Sequence, residues 1–345
     1  KKNYYSFRNM MKLRKRSKNQ YTNYVKGNTI NQLINEGVLS PLFSDIEKNK
    51  PNDEKYKRSI VLDRPLYSHQ EKSIRLLNNN RNIVVTSGTG SGKTECFLYP
   101  LINSLLREKE AGTLSKPGVR AILIYPMNAL ANDQMKRLRK LLMKYPEIRF
   151  GVFNGDTPYS GNMKDWFHDL HQSETVEELK WPLPNEPLTR EEMVKNPPHI
   201  LCTNYAMLEF MLLTPNRGAV FAGADVKFII MDEAHTYTGA TGMETSLLIR
   251  RLIARINENN SHPQYILTSA TLGDEGSSEQ DISNFAENLT GEKFGTDSIV
   301  FGHREPFYVG NESIDVPISF FDKVAKTNEN ELENVFDEFG YNYDK

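Results

Sequence analysis

Two short stretches hold residues that could do chemistry together. "SGTGSGKT" (87–94) sets Ser87, Gly88, Thr89, Gly90, Ser91 and Gly92 ahead of Lys93 and Thr94. Glycines let successive backbone N–H groups curl around an anion without Cβ clashes. A helix opening just after the loop adds the partial positive charge of its N-terminus. In such loops the lysine reaches the β- and γ-phosphates and the hydroxyl after it ligates Mg²⁺. Those roles fall here on Lys93 and Thr94. The pattern departs from G-x-x-x-x-G-K-[ST] only at Ser87, and serine is small enough for the turn. A chance glycine-rich turn is the competing explanation. The second stretch, "DEAH" (232–235), puts two carboxylates at the end of an apolar run. Asp232 is expected to hold Mg²⁺, directly or through water. Glu233 is expected to orient or deprotonate an attacking water. Adjacent carboxylates can be mere solubilising charge, but beside a phosphate loop that explains less.

Such groups need elements to hold them. Seven short runs alternate with longer helical patterns: 81–86, 119–126, 149–153, 199–203, 226–233, 265–271 and 298–301. Most are almost continuously apolar, the mark of strands covered on both faces. Helices are predicted at 92–110, 127–145, 204–213, 242–257 and 280–290. The fold class is therefore α/β, an open, mainly parallel sheet with helices on both faces. Ligands on such sheets bind at the carboxyl ends of the strands, where both stretches fall. Residues 1–54 read as a basic N-terminal accessory segment, and 55–302 as the main domain. A polar insertion is expected at about 157–197. Residues 303–345 read as an acidic tail without sheet-like runs.

Forty-three basic against 44 acidic residues leave no global field to choose a partner. The distribution is uneven, with eight Lys or Arg between Lys1 and Lys18 and no acid before Glu36. Such a leader can bind phosphate backbone or be a solvated arm. Cys96 and Cys202 read as small core residues in a reducing compartment. No apolar run approaches the roughly 18 residues of a membrane span, so cytoplasm is the default. His168 and His171, three apart in the insertion, read as a helix face rather than a metal site. Trp166 and Trp181 beside them either anchor the insertion or stack on bases. The helix at 137–145 reads as core-facing with solvated charge.

The motifs together resemble the superfamily-two helicases of the DEAD/DEAH-box type. "DEAH" stands at 232–235 and "TSAT" at 268–271, where that family has its third motif. "LYSHQ" (66–70) is similar to the element whose glutamine, here Gln70, reads adenine. "YPMNALANDQ" (125–134), "FNGDT" (153–157) and "TNYAMLEF" (203–210) resemble its backbone-contacting motifs. Longer phrases resemble large bacterial helicases of the MrfA-like DNA-repair group, some of which serve in anti-phage defence. The resemblance covers about residues 60–302. It implies a RecA-like domain that binds ATP and Mg²⁺. It further implies nucleic-acid contacts from Pro126, Asn128, Gly155, Asp156, Thr203 and Asn204. His235, Ser269 and Thr271 would couple nucleotide state to movement. Asn204 or Thr203 could instead simply cap the next helix.

The implied activity is that of an ATP-dependent helicase or translocase, with DNA favoured over RNA as partner. The alternatives are a nucleotide-dependent clamp on DNA without unwinding, and a phosphate-loop kinase or signalling NTPase. The last would not need "YPMNALANDQ" or "TSAT". The family's engine has a second RecA-like domain that supplies arginine fingers, and no Q-x-x-G-R-x-G-R-like segment follows Phe301. The chain is thus expected to be the first motor domain. Its second domain would lie on a longer polypeptide or a partner chain, with defence or repair subunits as further partners. Alone, it is expected to turn ATP over weakly.

Overall fold

The computed structural model describes residues 24–45, 61–174, 176–214, 218–256, 262–272, 278–304, 318–327 and 331–338. The basic leader falls outside them. Residues Tyr24–His303 form one compact unit. It opens with β1 (Lys26–Thr29), α1 (Ile30–Asn35), β2 (Pro65–Tyr67) and α2 (Ser68–Asn78). β3 (Ile83–Thr86), α3 (Lys93–Glu110), β4 (Ala121–Tyr125), α4 (Asn128–Leu142) and β5 (Phe150–Phe153) follow. Three short helices then occupy the insertion: α5 (Lys164–Leu170), α6 (Glu177–Lys180) and α7 (Arg190–Lys195). The unit closes with β6 (Ile200–Asn204), α8 (Tyr205–Leu213), β7 (Phe228–Met231), α9 (Gly239–Ile256), β8 (Gln264–Ser269), α10 (Glu279–Thr290) and β9 (Ile299–Phe301).

Seven strands make one parallel sheet in the order β5–β6–β4–β7–β8–β3–β9. Side chains alternate across each strand, and here the alternation divides two cores. Val85, Leu123, Cys202 and Ile230 join one core, with residues of α2, α3 and α4. Their strand neighbours Val84, Ile122, Leu201 and Ile229 join the other, with residues of α8, α9 and α10. Both faces are thus covered, and this is why the strands read as unbroken apolar runs. Both cysteines are free and buried.

The edge of the domain differs from the expected one. Residues 24–45, read as part of a separate segment, belong to the sheet unit. β1 pairs antiparallel with β2, and α1 buries Ile30 and Leu33 in the core. A Thr29–Gln32 capping box starts that helix. A second unit includes α11 (Ile318–Lys326) and α12 (Leu332–Glu338). Phe320 and Phe336 meet there edge to face, 5.0 Å between centroids.

The charge of α4 is also not all solvated. Arg139 and Glu186 are both buried and ion-paired at 3.0 Å. The guanidinium also donates to the carbonyls of Leu179 and Trp181 and lies 4.5 Å from the Phe167 ring centre. One buried cation on α4 therefore gathers α5, α6 and the segment at Glu186. Burial pushes the Glu186 carboxyl up to about 7 despite its partner. The insertion's histidines stack on rings, His171 on Phe167 at 4.0 Å and His168 on Trp181 at 4.1 Å. Among the described residues no cluster of His, Cys, Asp or Glu suits a metal ion.

Candidate functional site

β3 delivers the phosphate loop. Its four residues are buried, and Ser87 follows with its N–H donated to Ser269 O at 3.2 Å. Gly90 and Gly92 take φ of 74° and 77°, a region closed to most side chains. A Cβ on Gly92 would also stand 2.4 Å from Gln70 Nε2, so a side chain there would push the glutamine amide from its place. Gly92 caps α3, whose first two residues are Lys93 and Thr94. The departure at Ser87 has a structural use: its hydroxyl bonds to that of Ser91 at 2.6 Å, clasping the base of the loop. Gly88, Thr89 and Gly90 are exposed at its crown. The Lys93 ammonium folds back onto the carbonyls of Ser87 and Gly88, at 2.9 and 3.3 Å.

α2 braces the loop from behind. Gln70 accepts from Tyr67 N at 2.9 Å and donates to Gly92 O at 3.1 Å. One amide hydrogen and one lone pair are thereby left over for a base edge. A hollow of about 170 Å³ opens there, lined by Tyr67, Gln70, Gly90, Gly92, Glu95 and Tyr99. His69 was not anticipated. Its Nε2 bonds Ser91 O at 2.9 Å, which makes Nε2 the protonated nitrogen. Burial lowers its pKa. Only its place beside Gln70 marks it in the sequence.

β7 ends at Met231; Asp232 still donates its N–H to Ile124 O of β4 at 3.1 Å, and Glu233 follows it. Asp232 accepts the hydroxyl of Thr268 on β8. Glu233 adopts φ 51°, uncommon for a side chain of its length and a mark of functional sites. Its Oε2 is buried without a hydrogen bond, 3.4 Å from His235 Nδ1. His235 Nδ1 meets the Ser269 hydroxyl at 3.2 Å. That hydroxyl accepts the N–H groups of Thr271 and Leu272, both at 3.1 Å. Lys93, Asp232, Glu233, His235, Ser269 and Thr271 thus come from three adjacent strand ends. Thr94 and Asp232 are half-buried oxygen donors, the ligand type Mg²⁺ prefers beside substrate phosphates.

The other sheet half carries a row of polar side chains. Asn204, ending β6, donates to Asn128 Oδ1 at 2.5 Å, and Asn128 Nδ2 donates to Asp156 Oδ2 at 2.9 Å. Asn204 also caps α8, accepting from Met207 N at 2.7 Å. Gly155 and Asp156 are exposed and Pro126 is half-buried. Thr203 breaks ranks. It is fully buried, with its hydroxyl donated to Phe153 O at 2.8 Å, so its side chain does not reach the row's surface. Arg190 of α7, unmarked in the sequence, donates to the carbonyls of Asn154 and Gly155 at 2.8 and 3.1 Å. Another cavity, about 950 Å³, touches none of these residues. It includes Phe228 and Gln264, which begin β7 and β8, the opposite end from where parallel sheets bind ligands.

The DEAD/DEAH box helicase family matches residues 67–278 of the chain. Druantia protein DruE of Escherichia coli is 32% identical across 65% of this chain and 17% of its own length. The ATP-dependent helicase hrq1 of Schizosaccharomyces pombe is 28% identical across 60% of this chain and 16% of its own. Among solved structures, the DUF1998 helicase MrfA bound to DNA and AMPPNP superposes with a TM-score of 0.56. Identity there is 22%, over 85% of this chain and 33% of that one. The DEAD-box helicase Mss116 bound to ssRNA and UDP-BeF gives 0.53 at 19% identity, covering 81% and 46%. These two likenesses are of fold. The chain spans about a sixth of the length of DruE and hrq1.

Proposed function

This chain belongs to the DEAD/DEAH box helicase family, and we propose that it is the first motor domain of an ATP-driven DNA translocase or helicase. Relatives described as ATP-dependent helicases support the ATP-dependent part of this reading. The observation that carries it is the junction of β3, β8 and β7. There the loop shares a hydrogen bond with Ser269, and Ser269 shares one with the histidine beside the carboxylates. A change at the phosphates has a direct path to the strand-end carboxylates.

In this reading, ATP displaces the Lys93 ammonium from the loop carbonyls onto the β- and γ-phosphates. The N–H groups of 88–94 face the phosphate oxygens, and Gln70 meets the adenine. Thr94 and Asp232 would hold Mg²⁺, which neutralises charge developing on the phosphates. Glu233, with a carboxylate oxygen free of hydrogen bonds, takes the proton of the attacking water. Ser269 and His235 pass the γ-phosphate's presence or loss to the Thr271 segment. Asn128, Asp156 and Asn204, with Pro126 and Gly155 at their turns, hold the nucleic-acid backbone. Phosphate contacts of this kind position a strand without reading its sequence.

A second RecA-like domain, on the same longer protein or a partner chain, would complete the ATP site with arginine fingers. Such fingers contribute roughly 10³–10⁵ in rate. The 345 residues are therefore expected to bind ATP–Mg²⁺ and hydrolyse it slowly. Defence or repair subunits, in the cytoplasm, are the further partners in this reading. Among the described residues no helix is long and apolar enough to cross a membrane. Steady-state ATPase measurements with and without single-stranded DNA test the reading. Turnover at the level of complete helicases would refute the need for a second domain. DNA binding that depends on ATP, yet no strand separation by the assembled protein, would turn the motor into a clamp.

A further inference from the structure

A second pocket lies beside the backbone row. It encloses about 340 Å³ between α4, the turn after β5 and the insertion helix α5. Its walls are mostly apolar: Met135, Val152, Phe167 and Leu170 line it. Trp166, 45% exposed, lines it as well, and Leu170 is 61% exposed. Large apolar side chains left this open at the rim of a cavity mark a binding surface. Tyr159, 67% exposed, extends the same turn.

Three polar features point to what enters. First, Asn154 lines the pocket, is 1% exposed, and its Nδ2 has no hydrogen-bond partner. Its amide is not reversed, because Oδ1 accepts from Asp156 N at 2.9 Å. A buried amide donor without a partner is costly, and a ligand acceptor would satisfy it. Second, Asp156 and Thr157 belong both to the pocket and to the turn that presents the backbone row. A strand held by Asn128 and Asp156 would carry its bases past the opening. Third, Lys136 stands at the wall and supplies a cation for the phosphate that follows the base.

We propose that this pocket takes one unstacked base of a single nucleic-acid strand, stacked on Trp166, with an acceptor on the base edge (a carbonyl oxygen or a ring nitrogen) on Asn154 Nδ2. The proposal rests on the nucleic-acid role of the Asn128–Asp156–Asn204 row. It adds a base site to a surface otherwise read as touching backbone alone. Every base offers a π-face and an edge acceptor, so the site holds strands without strong sequence preference. The insertion then has a function: its Arg139–Glu186 anchor fixes α5 where Trp166 meets the passing strand.

The test uses the whole chain and fluorescence anisotropy with single strands of about 12 thymidines, against a fully abasic backbone of equal length. Trp166→Ala is expected to weaken thymidine-strand binding by about 5- to 160-fold, the range for losing one base–aromatic stack. Trp166→Phe should restore most of it, and neither change should alter binding of the abasic strand. Trp181→Phe leaves Trp166 as the sole tryptophan. Its fluorescence should be quenched by the thymidine strand and not by the abasic one. If Trp166→Ala binds thymidine strands as tightly as the wild type, the base site is overturned while strand binding stands. The pocket would then suit an apolar protein segment. If the wild type binds neither strand, the nucleic-acid reading falls and the base site with it.

Discussion

The two halves of the sheet's carboxyl edge are built differently. In the β3–β8–β7 half, the candidate residues lie at strand ends and bond mainly to backbone or to each other. Ser87 clasps Ser91, Lys93 returns to its own loop, and Ser269 gathers two N–H groups and His235. The β4–β6–β5 half instead runs from side chain to side chain, Asn204 to Asn128 to Asp156. Its turn is held by Arg190, and α4 by the Arg139–Glu186 pair, both reaching into the insertion. The nucleotide half carries its own support. The strand half depends on a structure inserted between β5 and β6, and damage there should leave the nucleotide half intact.

The sharpest break in this comparison is at Glu233. Glu233→Gln removes the base and keeps the shape. ATP turnover should fall by about 10²–10⁴, the usual worth of a general base. ATP binding and strand binding should persist, as read by equilibrium titration with a fluorescent nucleotide and anisotropy. Lys93→Ala should abolish nucleotide binding itself. If both variants hydrolyse normally, the site is misassigned.

Next in size is the insertion anchor. Arg139→Met leaves the Glu186 carboxyl buried without its cation and breaks the pair, and such losses cost about 3–5 kcal/mol. Urea unfolding should show it, with nucleotide affinity of the folded fraction unchanged. Arg139→Met with Glu186→Leu should recover much of the loss, since apolar replacement of a buried pair is often close to neutral. A fall in nucleotide affinity from the single variant would mean the halves are not separable.

The same contrast decides what could be read from sequence. All seven strands of the parallel sheet are visible there, because burial on both faces leaves continuous apolar runs, whereas β1 and β2 are not. The phosphate loop is visible too, because its requirements are met within eight consecutive residues. Arg139 was misread as solvated because its partner lies 47 residues away in the insertion, and helix periodicity sees only local neighbours. Thr203 is placed on nucleic acid by the resemblance of its motif, which does not say which way its side chain turns. The strand runs to Asn204, so alternation turns Thr203 inward and Asn204 is the last residue out. α9 begins at Gly239, three residues before the predicted 242. Gly239, at φ 59°, is the glycine that lets the helix begin there.

A third test probes the scaffold beneath the strand half by pH. His199 immediately precedes β6, is 3% exposed, and accepts from Arg149 N at 3.1 Å. Burial first, then the Arg120 charge, pushes its pKa down to about 4. A depressed histidine adds stability that is present above its unfolded value near 6.5 and lost as pH falls through the folded one. Roughly 3 kcal/mol should therefore disappear between pH 6.5 and 4. His199→Gln should flatten that part of the stability–pH curve. An unchanged curve would mean the ring is not held neutral.

The smallest effect is the most discriminating. Asn204 does two jobs with the two ends of one amide: its oxygen caps α8 and its nitrogen joins the polar row. Asn204→Ala removes both, and cap loss alone should cost about 1 kcal/mol of stability. Asn204→Asp keeps an oxygen on Met207 N, and a carboxylate suits a helix N-terminus. Stability should therefore return to the wild-type value. The aspartate, however, turns a donor facing Asn128 into an acceptor and adds negative charge where phosphate would lie. Strand affinity should then fall for Asp at least as far as for Ala, while stability separates the two. If both properties recover together in the aspartate variant, Asn204 is a helix cap and nothing more. The row would then begin at Asn128.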